Sequence, residues 1–478
     1  MSIYDNTKWV ALSQVFKILM QLTSLTVLTR LVSPHDYGIM ALATILINFI
    51  TILRDLGTSS ALIQKKQVNQ LVKSSVFWLN TILGLFLFVI IYTSSGEIAS
   101  FFNEPELENV LKIISITFPI VCTAASHQAL LERESKFKLI ASIEIVSSFS
   151  GLIVALFMAF NGFGVYSLVL QVMIYSLVSS CLFWKYHCWK PSFAINLKEL
   201  RGVFKFSLNL TVFNIVSFFS RNIDSTLIGK FFSSYILGAY SLAYRIMLFP
   251  LQNVTLVATR ALYPVLSKHQ DDEVEIRKIF IQTVQVISSL TLPIVCIIVM
   301  LSHELIIYLF GSQWALTATI LIWLAPSGFV QSIINSIGCF FAAKGRTDII
   351  MKLSIASCLV IVFFVLLGVQ FNILIMTQFY FLANIINGIC MMSFALTLLK
   401  CPLSKLMLAF SAPVISSFSI VLTITLINIM LNENTGLFYF ILKIFVGCTA
   451  YLITYRLFFR SALQNILPGK LRKILLLS

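Results

Sequence analysis

Six basic residues lie inside apolar stretches of this chain: Lys17, Arg54, Arg221, Arg245, Arg260 and Lys443. Asp55, Glu144 and Asp224 are the acids that share such stretches, so the buried charge is net positive. One charge at the centre of a membrane helix costs roughly 2.5–3.5 kcal/mol, so six cost on the order of 15–20 kcal/mol if all are central. A positive, water-filled interior that receives an anionic cargo offsets that cost most simply.

Helical spacing shows where these charges point. Gln14, Lys17, Gln21 and Ser24 share one face of the first apolar segment, and Thr44, Asn48, Thr51, Arg54/Asp55 and Thr58 stripe the second. Ser207, Asn214, Ser217, Arg221 and Asp224/Ser225 stripe the seventh, and Ser241, Arg245, Gln252, Thr255 and Thr259 the eighth. The alternative for Arg221 is an internal salt bridge to Asp224 at i, i+3. Arg245 has no acid at helical spacing in its own segment. Arg260 lies near one end, where a long side chain snorkels. Lys443 is ambiguous between cavity and structure. His127 and Glu144 read as packed polar residues rather than proton relays.

The elements that must position these side chains are membrane helices. The chain has 478 residues, 58% hydrophobic and 11% charged. Its mean hydropathy is +0.94. A soluble domain carries about 25% charged residues. The expected fold is an all-α polytopic membrane protein with about fourteen spans of near twenty residues each. Their approximate limits are 9–31, 38–61, 75–93, 110–131, 138–160, 163–184, 203–228, 236–262, 278–301, 315–342, 349–369, 373–399, 406–431 and 437–458. The short connections 161–164 and 370–372 leave two of these divisions weakly marked. No cleavable signal peptide is expected, the first helix serving as its own insertion signal.

Loop charge supports the count. On fourteen spans, twenty-five of the lysines and arginines fall on the side that holds both termini, and only Arg30, Lys112 and Lys230 on the other. The positive-inside rule makes the rich side cytoplasmic. The net charge of +15 is therefore largely topological. No basic stretch is interleaved with base-stacking aromatics, so nucleic acid is not an expected partner. The basic tail from Arg456 to Lys473 reads as an interfacial helix on anionic lipid. The nine cysteines have no zinc or redox spacing.

The chain echoes itself at an offset of 200. Arg30-Leu31-Val32-Ser33, Gly38 and Leu42-Ala43 match Lys230-Phe231-Phe232-Ser233, Gly238 and Leu242-Ala243. Glu97–Phe102 likewise echoes Glu304–Phe310, and each reads as an amphipathic segment on the outer surface. Two six-helix lobes in parallel pseudo-repeat follow, 1–201 and 202–400, with two extra helices over 401–458 and a basic cytoplasmic tail over 459–478. Cargo in such transporters binds between the repeats. Prolines 119, 250, 293, 326 and 413 lie within spans and mark bends. No phosphate-binding loop, metal-ligand cluster or nucleophile elbow is present, and no loop has room for a catalytic domain. Neither enzyme activity nor a cofactor is expected.

Several motifs resemble bacterial polysaccharide flippases. They are Leu28-Thr29-Arg30-Leu31-Val32-Ser33-Pro34-His35-Asp36-Tyr37-Gly38, and Asp55-Leu56-Gly57-Thr58-Ser59-Ser60-Ala61-Leu62-Ile63-Gln64. Gly238–Ile246, Pro250–Asn253, Arg260–Lys268 and the stretch from Glu304 to Gly311 with Trp314 fit the same pattern. The family is the Wzx-type branch of the multidrug/oligosaccharidyl-lipid/polysaccharide exporter superfamily, and the resemblance spans essentially the whole chain. It implies a cationic cavity (Lys17, Arg54, Arg221, Arg245, Arg260) and a polar lining (Gln14, Gln21, Asn48, Thr51, Asp55, Asn214, Ser217, Asp224, Gln252). It also implies alternating access in the bacterial cytoplasmic membrane, with undecaprenyl-pyrophosphate-linked repeat units as cargo. Membrane lipid and other polysaccharide-assembly proteins are the further partners it suggests. The extra helices would guide the polyprenyl tail. The rival readings are a cation-coupled drug exporter of the same fold, which would need intramembrane acids, and a membrane-embedded polymerase or scaffold in glycan assembly. The motifs do not say whether the polymer is O-antigen, capsule, teichuronic-type or another exopolysaccharide.

Overall fold

The computed structural model describes residues 3–55, 62, 68–193, 218, 221–251, 266, 272–430 and 436–458. Among these the chain is helical, with no strand. That follows from the solvent: in hydrocarbon each backbone N–H and C=O must be satisfied within its own segment. Eleven described helices are long and apolar enough to span a membrane. This is a multi-pass membrane protein. The first expected span lies on a helix described throughout, while 203–228 and 236–262 are described only in part.

The chain forms two compact units, Met1–Gly238 and Ala239–Ser478. The first opens with α1 (Ile3–Leu31), α2 (Pro34–Asp55) and α3 (Gln70–Phe102). It continues through α4 (Glu106–Ser115), α5 (Thr117–Arg133), α6 (Phe137–Phe160) and α7 (Val165–Tyr186). Residues 221–231 are also helical. Helix α6 packs on α1 and α7, and α3 on α5.

Two sequence expectations change here. Glu97–Phe102 is not a separate surface segment but the last turns of the 33-residue α3. Nothing before Asn103 breaks the helix; Asn103 adopts a left-handed conformation (φ 57°) and Pro105 follows. The amphipathic helix is instead α4. Its Leu107, Val110, Leu111 and Ile114 are buried, and Lys112 pairs with Glu108 at 2.6 Å. The break over 161–164 is a true turn, since Gly162 and Gly164 both take positive φ.

The second unit takes over α8 (Ser234–Pro250) from Ala239. It adds α9 (Glu273–Met300), α10 (Ser302–Phe310), a short 3-10 turn and α11 (Ala315–Ala343). The remaining helices are α12 (Thr347–Val369), α13 (Ile373–Leu398), α14 (Leu403–Met430) and α15 (Leu437–Phe458). Here the segment from Glu304 to Phe310 falls in a short helix of its own, α10. The division at 370–372 also holds: Asn372 caps α13 by accepting from the Ile375 N–H at 2.9 Å. Helix α14 packs on α9 and α15. Tyr451 donates to the Ser289 carbonyl at 2.8 Å, and the Tyr455 and Ser289 hydroxyls meet at 2.9 Å. The two extra helices are thus bonded into the unit's core.

Within the first unit the offset of 200 recurs in space. A Cβ on Gly38 would lie 1.8 Å from the Ser234 carbonyl oxygen, and one on Gly238 would lie 1.8 Å from that of Pro34. The four residues are repeat-equivalent in pairs and touch reciprocally, the contact pattern of a two-fold relation. Only glycine lets the two backbones cross this closely.

Candidate cationic site

Depth along each helix tests which charges could meet a cargo. Arg221 is ten residues from the end of its helix at 231, hence about 15 Å deep. Arg245 is eleven residues into α8, hence about 16 Å deep. Both lie near the midplane of a hydrocarbon layer about 30 Å thick. Both side chains are exposed on the protein surface. A guanidinium at that depth, exposed by the protein, faces either lipid or a water-filled cavity, and lipid is the costlier.

The alternative of a salt bridge between Arg221 and Asp224 is not seen among the described residues, where Arg221 is exposed and Asp224 buried. Asp224 is only 2% exposed and accepts from the Ser225 N–H at 2.7 Å. The i, i+3 spacing permits the bridge, but Arg221 is exposed whereas Asp224 is turned into the protein. Two elements expected to share the site do meet within the first unit. Phe49 of α2 lies against Phe218 at 5.4 Å between ring centroids, and the Leu42 side chain covers Gly229. Of the polar residues on α2, Asn48 is exposed and Thr51 half-buried, its hydroxyl bonded to the Ile47 carbonyl at 2.8 Å. Gln21 on α1 is exposed. The side chains of Gln14, Lys17, Arg54 and Asp55, and all of Asn214, Ser217, Gln252 and Arg260, lie outside the described residues.

Lys443 is resolved as structural. It is 3% exposed, and its ammonium donates to Glu304 Oε1 at 2.5 Å. Sequence pattern misses this partner because Glu304 sits 139 positions away. Lys443 is six residues into α15, hence about 9 Å from the start of that helix.

At the C-terminal end of α3, Lys230 donates to the Phe101 carbonyl at 2.5 Å and lies 4.2 Å from the Phe101 ring centroid. Glu104 takes two partners, His35 Nε2 at 3.4 Å and the Ser234 N–H at 3.4 Å. His35, Asp36 and Glu106 also bring ligand-type atoms within 4.8 Å of one another, a solvated set on the surface.

Comparison with known proteins bears on the family and the fold. A family described as "Polysaccharide biosynthesis protein" matches residues 27–319. The chain is 26% identical over 460 residues to an "Uncharacterized membrane protein in cps region" of Klebsiella pneumoniae, covering 94% of this chain and 93% of that one. It is 26% identical to "Lipopolysaccharide biosynthesis protein WzxC" of Escherichia coli, covering 80% of this chain and 79% of the relative. Among solved structures it shares the fold of "Lipid II flippase MurJ, inward closed conformation". That match has a TM-score of 0.79 at 18% identity and covers 95% of this chain and 99% of the other.

Proposed function

Given that this chain belongs to the polysaccharide biosynthesis protein family, in line with its Wzx-type motifs, we propose that it flips lipid-linked oligosaccharide across the cytoplasmic membrane. The cargo in this reading is an undecaprenyl-pyrophosphate-linked repeat unit, carried from the lysine-rich, cytoplasmic leaflet to the outer one. Arg221 and Arg245 supply positive charge near mid-depth, and Lys17, Arg54 and Arg260 extend it. Guanidinium forks suit the two phosphates. Exposed amides and hydroxyls such as Asn48 and Gln21 suit sugar hydroxyls. The cargo crosses by alternating access between the two six-helix lobes, without chemistry on the sugar.

The observation that carries this reading is the exposed Arg221 guanidinium at mid-membrane depth, unpaired with Asp224. The test uses cells lacking the chain, complemented with wild type or with Arg54→Ala/Arg221→Ala. Repeat units on polyprenyl pyrophosphate are quantified by mass spectrometry, and their leaflet is assigned with a glycosidase added outside. Units trapped inside, rescued by wild type and not by the well-expressed variant, are the expected result. Units that reach the outer leaflet in the null strain yet stay unpolymerised would point to a polymerase or scaffold instead.

A further inference from the structure

His127 of α5 is fully buried in the first unit, at the lysine-rich end. Its ring is walled by Trp184 at 4.3 Å, Trp189 at 5.3 Å and Phe77 at 6.4 Å between centroids. Its Nδ1 faces Nδ1 of His187 at 3.5 Å. His187 Nε2 in turn faces Glu134 Oε1 at 3.6 Å. Glu134 is partly solvated and paired with Lys136 at 2.7 Å. The three groups form a line from solvent to a buried base.

Tautomers follow from the acceptor at the outer end. An ionised carboxylate only accepts, so it favours the proton of His187 on Nε2. His187 Nδ1 is then bare, and the contact between the two rings is favourable only with the proton of His127 on Nδ1. That leaves His127 Nε2 bare, and this buried atom has no hydrogen-bond partner. A buried polar atom without a partner costs about 1–3 kcal/mol. The atom is a base with nothing donating to it, enclosed by aromatic rings.

The box has a lid. Residues 187–193 leave α7 and are fastened along α3. Trp189 Nε1 donates to Gln70 Oε1 at 2.6 Å, and Gln70 Nε2 to the Lys190 carbonyl at 2.9 Å. Trp78 Nε1 donates to the Ser192 carbonyl at 2.9 Å, and the Ser192 N–H to Ser74 Oγ at 2.9 Å. Phe193 stacks on Trp78 at 5.3 Å. His187 and Trp189 of this strap form part of the wall around His127.

We propose that His127, His187 and Glu134 form a proton-binding site at the lysine-rich end of the first unit. The 187–193 strap is its lid, closed over neutral imidazoles and released when they take up a proton. The proton is the ligand: it adds to a bare imidazole nitrogen, and no other bond forms or breaks. The groups facing the site from the surrounding elements are Lys73 on α3, Glu134 and Lys136 after α5, and Cys188 on the strap. Burial holds the His187 imidazole below its usual range; Glu134 opposes this, and Lys136 and Lys73 add to it. A base depressed in the closed form stabilises that form above the ordinary imidazole value of about 6.5. As pH falls below that value, the closed form loses up to about tenfold in population per pH unit for each proton taken up. The strap leads into the segment that carries Arg221. Its consequence for transport rests on the flippase reading, but its occupancy does not.

Hydrogen exchange on the purified full chain in nanodiscs tests this, with rates corrected for intrinsic pH dependence. In wild type, protection of residues 187–193 should fall by up to about tenfold per pH unit below about pH 6.5, while that of α6 holds. His127→Phe fills the box with a neutral ring and should keep protection while reducing its pH dependence to that of His187 alone. Glu134→Gln, at a solvated position, removes the group that opposes the depression of His187, so the loss should still begin at about pH 6.5 but continue to lower pH than in wild type. Wild-type protection that is flat from pH 8 to 5 overturns the proposal. So does a Glu134→Gln loss that levels off at the same pH as in wild type, or a folded His127→Phe that responds like wild type. A positive exchange result beside full rescue by Arg221→Ala would sink only the flippase reading, and the reverse pair only the proton site.

Discussion

Replacing Gly38 by alanine should force the outer ends of α2 and α8 apart. The new methyl would lie 1.8 Å from the Ser234 carbonyl oxygen, whereas ordinary contact begins near 3.4 Å. The backbones must therefore separate by about 1.6 Å, because the obstacle is a carbonyl and not the end of a flexible side chain. Overpacking of this kind costs roughly 1–3 kcal/mol and sometimes more. At 1.4 kcal/mol per factor of ten, the closed crossing should lose on the order of 10–100-fold against any state with the helices parted. Ser234 is 1% exposed, so Ser234→Cys, close in size, reports on that parting. Its labelling by a membrane-impermeant maleimide on intact cells should be slow in the parent and about 10–100-fold faster with Gly38→Ala. Gly238→Ala should act alike, and the double variant should fall short of the product because both relieve one crossing. Unchanged labelling together with an unchanged melting temperature would show that the crossing is looser than drawn, and the reasoning would fail.

Lys443→Met should destabilise the second unit by about 3 kcal/mol, the lower end for a broken buried pair since Glu304 is partly solvated. Thermal unfolding in detergent should show it, with Lys443→Met/Glu304→Leu recovering much of the loss. Arg221→Lys should rescue repeat-unit export better than Arg221→Ala yet less than wild type, because an ammonium keeps the charge and loses the fork. Lys136 holds the Glu134 carboxyl below its usual range chiefly by a hydrogen bond. This contribution is full above about pH 4.3 and is lost as pH falls through the depressed value. Because both groups are well solvated, Lys136→Met should lower the melting temperature only slightly at pH 7 and leave it unchanged near pH 3.

The all-helical, membrane-spanning character was legible because composition and hydropathy depend on the membrane as a solvent, which acts on each segment alone. The repeat was legible for a related reason: Gly38 and Gly238 are demanded by one backbone crossing and so survive at the same offset. Pairing was not legible. The i, i+3 spacing of Arg221 and Asp224 permits a bridge that burial of one partner and exposure of the other prevent. Lys443 finds its acid 139 positions away. The end of α3 was misread because the amphipathic turns at Glu97–Phe102 carry the same pattern whether they lie on the surface or prolong a spanning helix. What decides is the left-handed Asn103, whose conformation its neighbours do not announce.

The outer crossing also shows where near-symmetry stops. Pro34, Gly38, Ser234 and Gly238 touch reciprocally, so each unwanted side-chain atom would be met twice, and glycine at both sites is the economical solution. The bonds that hold the crossing are one-sided. Lys230 is anchored to Phe101, and both His35 and the Ser234 N–H reach Glu104 on the turn between α3 and α4. One carboxylate therefore touches both repeat-equivalent segments, each at 3.4 Å. If α2 and the start of α8 part, Glu104 cannot keep both contacts and must release one. Which it releases decides whether the α3–α4 turn travels with α2 or stays with Lys230. The backbone crossing is near-symmetric, but the choice at Glu104 gives its opening a direction.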